Sequence, residues 1–208
     1  MNYTKKKMTE VADNPRGFWG KKMLNRMNDR HKGLIKWGLS GIDIEKYRDI
    51  LDIGCGSGNS LSMMYHKNKK AHFFGVDYSK DSVKMAKKNN KDAITHRHMQ
   101  IIHGDVCDLP YKDNSFDLII SVESFYYWKN HKKAMKEISR VMKKNGNLAI
   151  ILEAHKDIPD PEKYDEIKEM LDMVIPGQED LEKLFADAGL SLTVEKKDEW
   201  IKALGTKL

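Results

Sequence analysis

Three glycines at alternate positions follow an apolar run early in the chain. Residues 50–59 read ILDIGCGSGN, and the glycines are Gly54, Gly56 and Gly58. Without a Cβ, glycine can take positive φ angles and let a ligand lie against the backbone, while amides at the start of a following helix act as donors. This pattern predicts a nucleotide-binding turn. The spacing disfavours NAD, because Asn59 stands where the dinucleotide fingerprint G-x-G-x-x-G has its third glycine.

Carboxylates follow the next two predicted strands. Asp77 ends the apolar run in the segment FFGVDYS at 73–79, and Asp105 lies in the segment GDVCDLP at 104–110. A carboxylate can accept two hydrogen bonds at once, which suits a vicinal diol such as that of a ribose. We therefore expect these side chains to bind the same ligand as the glycine turn.

These motifs, with SFDLIIS at 115–121 and RVMKKNGNL at 140–148, resemble the class I S-adenosylmethionine (SAM) dependent methyltransferases. They are most similar to the small-molecule branch that includes ubiquinone/menaquinone-biosynthesis-type enzymes. The resemblance implies SAM as cofactor and S-adenosylhomocysteine as product. It also implies that Asp77 binds the ribose, that Asp105 and the next amide address the adenine, and that Asp52 orients the turn or reaches the methionine ammonium. The other cofactor-binding residues that it implies are Gly54, Cys55, Gly56, Gly58, Asn59, Tyr78, Ser79, Gly104, Val106 and Ser121.

Residues after the fourth predicted strand are expected to face the methyl acceptor. Methyl transfer from a sulfonium is an in-line displacement, which needs a general base only if the acceptor arrives protonated. The candidates are Glu123, Tyr126, His131 and, if the N-terminal segment folds over the cleft, His31. For His131 the competing interpretation is a surface position at a helix N-terminus. For Tyr126, Tyr127 and Trp128, core packing competes with an aromatic wall for a cationic or planar acceptor. No metal ligand set is predicted.

The absence of two motifs reduces the classes of methyl acceptor that we expect. Enzymes that methylate exocyclic amines often carry Asn/Asp-Pro-Pro-Tyr/Phe where this chain has Ser-Val-Glu-Ser at 121–124, and the Pro-Cys context of cytosine-C5 enzymes is absent. We therefore expect methyl transfer to a small molecule. The alternatives are RNA or protein methylation, a SAM-binding module without catalysis and, more distantly, a nicotinamide oxidoreductase.

Composition fits one domain without a membrane span. The chain has 208 residues, of which 33% are charged, and no apolar run approaches the ~18 residues of a membrane helix. Its basic N-terminus lacks a following apolar segment, so a cytoplasmic location is expected. Cys55 and Cys107 are the only cysteines, and small buried residues are favoured over a disulfide framework or a catalytic thiol.

The net charge of +6 is unevenly distributed. Residues 153–187 hold twelve Asp or Glu against four Lys, so the rest of the chain carries about +14. Lysine clusters lie at 5–7, 67–70, 84–91 and 129–144, mostly on predicted outer helix faces. Since no basic groove interleaved with aromatic residues is visible, solvated faces are favoured over a nucleic-acid site. A small-molecule substrate is the expected partner, and the sequence does not indicate an oligomeric state.

Short apolar runs alternate with helical patterns. Strands are predicted at 49–53, 72–76, 100–103, 116–121 and 147–153, and around Leu192 and Trp200. Helical patterns occur near 61–65, after a Ser79 cap, and near 134–142, 161–174 and 179–188. This alternation implies right-handed crossovers between parallel strands. We predict an α/β fold, a doubly wound, mostly parallel, seven-stranded Rossmann-like sheet with an antiparallel edge strand and helices on both faces.

The N-terminal segment is predicted to cap the domain. We assign residues 1–45 to a helical lid or cap and residues 46–208 to the SAM-binding domain, with one domain overall. Between residues 14 and 40, apolar side chains recur at helical intervals, interrupted by Gly33 and by the polar group at 28–31. A lid over the active site and plain packing of a helix on the sheet fit this pattern equally.

Overall fold

The computed structural model describes residues 31–208 and contains one seven-stranded sheet. The strands are Asp49–Ile53 (β1), His72–Asp77 (β2), Met99–His103 (β3), Phe116–Val122 (β4), Met142–Leu152 (β5), Thr193–Lys197 (β6) and Trp200–Thr206 (β7). Their spatial order is β3-β2-β1-β4-β5-β7-β6. The first five strands are parallel, and β7 runs antiparallel to both of its neighbours, so an antiparallel pair closes one side of the sheet. The predicted fold class is confirmed.

Helices cover both faces of this sheet. Residues 31–38 are helical (α1). The later α-helices are Asn59–Lys67 (α2), Lys80–Asn89 (α3), Lys91–Thr95 (α4), His131–Val141 (α5), Asp165–Leu171 (α6) and Gln178–Asp187 (α7). Short 3₁₀ helices lie at Ile44–Lys46, Phe125–Tyr127 and Pro161–Tyr164. Two apolar cores result, one under α1, α2 and α3 and the other under α5 and α7. In the part of the chain described, no helix combines the length and the apolar character needed to cross a membrane.

The largest difference from the predicted elements is at the start of β5. This strand begins at Met142 rather than near Asn147, because Phe116 pairs with Met142 while Leu118 pairs with Asn147. The residues between them form a bulge in which Asn145 takes a φ of +61°, a conformation that asparagine tolerates. The backbone therefore turns within the strand at these residues.

A buried lysine joins the N-terminal helix to the sheet. Lys202 on β7 is 1% exposed. Its Nζ donates to the carbonyl of Ser40 at 3.1 Å, pairs with Glu195 at 2.7 Å and lies 5.4 Å from the ring centre of Trp37. A buried charge requires such partners. The C-terminal end of α1 is thus fixed to the sheet, which positions the rest of that helix.

We expect Lys202→Met to destabilise the fold by roughly 1–3 kcal/mol, because the Ser40 carbonyl loses its charged donor. Lys196→Met is the matched control, since the Lys196 ammonium pairs with Asp157 at 3.1 Å but is 37% exposed, and its loss should cost under ~1 kcal/mol. Urea unfolding of both variants measures the difference. Equal losses would show that Lys202 contributes no more than a surface ion pair.

Candidate functional site

A cleft opens at the carboxyl ends of the strands, where ligands bind in open α/β sheets. Its cavity volume is about 250 Å³, and it is lined from β1, β2 and β4, from the segment after β3, and from α1. The residues singled out from the sequence that line it are His31, Gly54, Cys55, Gly56, Asn59, Asp77, Tyr78, Gly104, Asp105, Val106, Glu123, Tyr127 and Trp128. Asp52, Gly58, Ser79, Ser121, Tyr126 and His131 do not line it.

The end of β2 holds the glycine turn in place. The Asp77 carboxylate accepts the Gly56 amide through Oδ2 and the Ser79 amide through Oδ1, both at 2.8 Å. The Val76 carbonyl accepts the Gly54 and Cys55 amides at 2.8 and 3.1 Å. Burial raises the pKa of Asp77, and the bonds from the Ser79 and Gly56 amides oppose that rise. One partly buried side chain therefore connects the turn after β1 with the start of α3.

Position 54 requires glycine because it lies directly against the turn after β4. Its φ is +68°, and a Cβ there would lie 2.2 Å from the Cβ of Ser124. The Ser124 hydroxyl donates to the Ile53 carbonyl at 2.9 Å and lies 2.7 Å from the hydroxyl of Ser121. Ser121 is fully buried, so it affects the cleft only through its contact with Ser124. The turns after β1 and β4 thus form one packed unit.

Gly58 and Ser79 shape the helices that support the cleft. Gly58 precedes α2 with a φ of +81°, and a Cβ there would lie 2.4 Å from Nδ2 of Asn90. Ser79 caps α3, as predicted, because its hydroxyl accepts the Ser82 amide at 3.2 Å. Both residues are needed for helix placement and lie outside the cleft.

Asp52 is a buried carboxyl beneath the glycine turn. The Ser60 hydroxyl donates to Oδ2, whereas Oδ1 has no hydrogen-bond partner among the described residues. Burial raises the pKa of Asp52 to about 7. Ser60 lines the cleft, so the Asp52 carboxyl lies one side chain away from a bound ligand.

The segment after β3 forms another wall of the cleft. Asp105 Oδ1 accepts the Cys107 amide at 2.8 Å, which closes a short turn around Val106. Cys55 lines the cleft and Cys107 does not. Burial raises the pKa of both thiols. Since a thiol reacts as its thiolate, neither cysteine has the character of a nucleophile.

Glu123 is held in an unusual conformation at the far end of the cleft. Its φ is +56°, which is uncommon for a residue with a side chain. Its Oε1 accepts the Tyr126 hydroxyl at 2.8 Å and the Glu153 amide, and the Tyr126 hydroxyl in turn accepts the Ala154 amide at 2.8 Å. Tyr126 is buried behind Glu123 and orients it. Burial raises the pKa of Glu123.

The two predicted histidines differ in position. His31, on α1, lines the cleft, and its Nε2 lies 3.6 Å from Oε2 of Glu123 and 3.5 Å from Oε2 of Glu153. His131 begins α5 outside the cleft, where its Nε2 donates to the Phe125 carbonyl at 2.9 Å. Burial lowers the pKa of His131. The structure thus brings His31, rather than His131, to Glu123.

Several residues of the cleft wall were not selected as site residues from the sequence. They include Ile35, Ser57, Ser60, Ser82, Val122, Ser124 and Lys129. Ser57 and Ser60 lie within or just after the glycine motif, so proximity to it was the available signal. Lys129 had no such signal, and its Nζ donates to the Tyr78 hydroxyl at 3.2 Å.

Comparison with known proteins finds a matching family and several similar methyltransferases. Residues 51–150 match the model of the family described as "Methyltransferase domain". An uncharacterized methyltransferase of Bacillus subtilis, YdaC, is 26% identical over 170 residues, 81% of this chain and 92% of that protein. A demethylmenaquinone methyltransferase of Listeria monocytogenes is 30% identical over 129 residues, 60% of this chain. The chain spans about half of that relative, 54% of its length.

Solved structures share the fold. A putative methyltransferase from Haloferax volcanii, in complex with the Trm112 methyltransferase activator, has a TM-score of 0.80 at 21% identity and covers 96% of both chains. A SAM-dependent methyltransferase from Aquifex aeolicus has a TM-score of 0.72 at 18% identity, covering 90% of this chain and 98% of that one.

The buried Asp52 carboxyl should make stability depend on pH. Its folded pKa of about 7 lies above the ordinary value of 3.8, so the folded state holds an extra proton between these values. The contribution of Asp52 is complete below pH ~4, falls as the pH rises to about 7 and is constant above. Between pH 5 and pH 8 we expect the wild type to lose roughly 2 kcal/mol more than Asp52→Asn, measured by urea unfolding. Identical pH slopes in the two proteins would contradict this assignment.

Proposed function

We propose that this chain, a class I SAM-dependent methyltransferase, transfers the methyl group to a small planar molecule. The observation that carries the proposal is the composition of the cleft at the Glu123 end, where His31 and the aromatic residues Tyr127 and Trp128 also lie. Lys129 is the only Lys or Arg among the described residues of the cleft wall. A nucleic-acid site needs several such cations. The Listeria relatives, named for demethylmenaquinone, support a small acceptor.

The residues of the cleft fit SAM. A Cβ at Gly56 would meet nothing within 4 Å, so the backbone there is open to a ligand. We assign the ribose hydroxyls to Asp77, which lines the cleft and whose oxygens accept the Gly56 and Ser79 amides. We assign the adenine to Asp105 and the amide of Val106. Asp52 lies one side chain behind the wall, and one of its oxygens has no hydrogen-bond partner among residues 31–208, so it is placed to offset the methionine ammonium through Ser60 or water.

The residues of this chain position the two substrates and exclude water from the cleft. SAM, when bound, supplies a methyl group that its sulfonium already makes electrophilic. Ile35, Ile53 and Val122 give the cleft apolar walls that exclude water. Tyr127 and Trp128 add aromatic side chains to the wall, against which a planar acceptor would pack. A hydroxyl acceptor must also lose a proton. Glu123 and His31 are the titratable groups of the cleft beside the acceptor, and Tyr126 fixes the carboxylate of Glu123.

Asp77→Asn should weaken SAM binding by about 10- to 100-fold, because a charge-assisted hydrogen bond to the ribose is worth about 1.5–3 kcal/mol. Asp92→Asn is the matched control, since Asp92 lies exposed on α4 away from the cleft. Isothermal titration of the three proteins with SAM and with S-adenosylhomocysteine measures the effect. Unchanged affinity in Asp77→Asn would refute the ribose assignment.

The acceptor class is tested by methyl transfer from labelled SAM to quinols, phenols and small amines, with RNA and protein preparations in parallel. We expect turnover on a planar small molecule, with kcat/KM changing less than about twofold between ~50 and ~200 mM salt. RNA binding would lose about 10³- to 10⁵-fold over that range, because phosphate contacts release counterions. Turnover confined to RNA or protein would overturn the small-acceptor proposal and leave the methyltransferase family intact.

A further inference from the structure

Three potential metal ligands meet at the end of the cleft that holds Glu123. We call it the acceptor end, because the proposed function places the acceptor there. His31 comes from α1, Glu123 follows β4 and Glu153 follows β5. One ligand atom from each, the His31 Nε2 and a carboxylate oxygen of each glutamate, lies within 4.8 Å of the other two. All three residues are partly buried, and two of them line the cleft.

The distances fit ligands around an ion better than direct hydrogen bonds. The His31 Nε2 lies 3.6 Å from Oε2 of Glu123 and 3.5 Å from Oε2 of Glu153. A charge-assisted N–H···O bond is about 2.7–2.9 Å long. Two ligands of a tetrahedral ion with bonds of ~2.1 Å are about 3.4 Å apart. The imidazole nitrogen is therefore separated from both carboxylates by a distance that an ion between them would produce.

The carboxylate of Glu123 is already oriented for this role. Its Oε1 is occupied by the Tyr126 hydroxyl and the Glu153 amide, which leaves Oε2 directed toward His31. Hydrogen bonds of this kind fix a ligating group and are typical behind metal ligands. Glu123 and Glu153 also approach the same nitrogen, so their negative charges repel each other, and a divalent cation would offset both.

We propose that His31, Glu123 and Glu153 bind one divalent ion, Mn²⁺ or Zn²⁺, at the acceptor end of the cleft. One imidazole and two carboxylates form a mixed nitrogen and oxygen set that suits these ions better than Ca²⁺, which takes oxygen ligands. Three protein ligands leave at least one coordination position open. Because His31 and Glu123 line the cleft, that position faces the space where an acceptor would lie.

The ion would also select the acceptor, an extension that rests on the proposed function. An acceptor hydroxyl that ligates the ion would have its pKa lowered and would lose its proton to solvent, because Glu123 and His31 are then ligands of the ion and are no longer available as the base. The oxygen is then held as an anion in the cleft. This favours planar acceptors with a hydroxyl group, and particularly those with two adjacent oxygens that can both reach the ion.

The test measures Mn²⁺ binding to the 208-residue chain after a chelator has removed any bound metal. The EPR signal of unbound Mn²⁺ reports the binding. Calorimetry repeats the measurement with Zn²⁺. We expect one ion per chain and a loss of affinity of more than about 100-fold in His31→Ala and in Glu153→Gln. His96→Ala is the matched control, because His96 lies 3.3 Å from Asp92 as an exposed pair without a third ligand. Its affinity should equal that of the wild type.

Two results would overturn the proposal. One is the absence of stoichiometric binding of either ion, which would assign the 3.5 and 3.6 Å contacts to direct polar contacts between His31 and the two carboxylates. The other is equal binding by the wild type, His31→Ala and Glu153→Gln. Circular dichroism and SAM titration of the same samples show that the variants are folded. If the protein binds SAM and transfers methyl groups but binds no metal, only the proposed ion site is refuted. If the protein does not bind SAM, the proposed function is refuted instead.

Discussion

The cleft depends on the two hydrogen bonds that the Asp77 carboxylate accepts from Gly56 and Ser79. A turn that offers its backbone to a ligand cannot satisfy all of its amides within a helix or a strand, and a buried amide without a partner is costly. Asp77 and the Val76 carbonyl accept the amides that point inward, so the outward side of the turn stays accessible. The end of β2 therefore determines the shape of the loop after β1.

The same turn connects the two ends of the cleft. Gly54 lies directly against Ser124, whose hydroxyl donates to the Ile53 carbonyl. Glu123 precedes Ser124, so the position of its carboxylate depends on the packing of the glycine turn. A shift of that turn on ligand binding would be transmitted to Glu123 through a contact between backbone and a short side chain, since close-packed interiors transmit strain. The two ends are mechanically coupled.

Local patterns were sufficient to predict the strands and most helices, because alternating apolar runs and the Ser79 cap are encoded by neighbours in sequence. They also selected the three glycines, which share one motif, and Asp77, which ends the next predicted strand. Local patterns do not determine which side of a turn a residue faces, so Tyr126 and His131 were grouped with Glu123 although they lie behind it or outside the cleft. The approach of His31, Glu123 and Glu153 depends on the docking of α1 and on strand order, and no spacing in the sequence indicates it. The β5 bulge depends similarly on pairing with β4.

The left-handed backbone of Glu123 makes folding and the acidic group of the cleft depend on the same residue. A side chain at positive φ costs of order 1 kcal/mol, which glycine would recover. The bonds that the carboxylate accepts from Tyr126 and the Glu153 amide would be lost, and a hydrogen bond to a charged group is worth about 1.5–3 kcal/mol. The lost bonds outweigh the recovered strain, so Glu123→Gly would lower thermal stability while it removes a carboxylate from the cleft. A survey of variants scored only by folding would class residue 123 as sensitive and could not separate its contribution to stability from its contribution to the cleft.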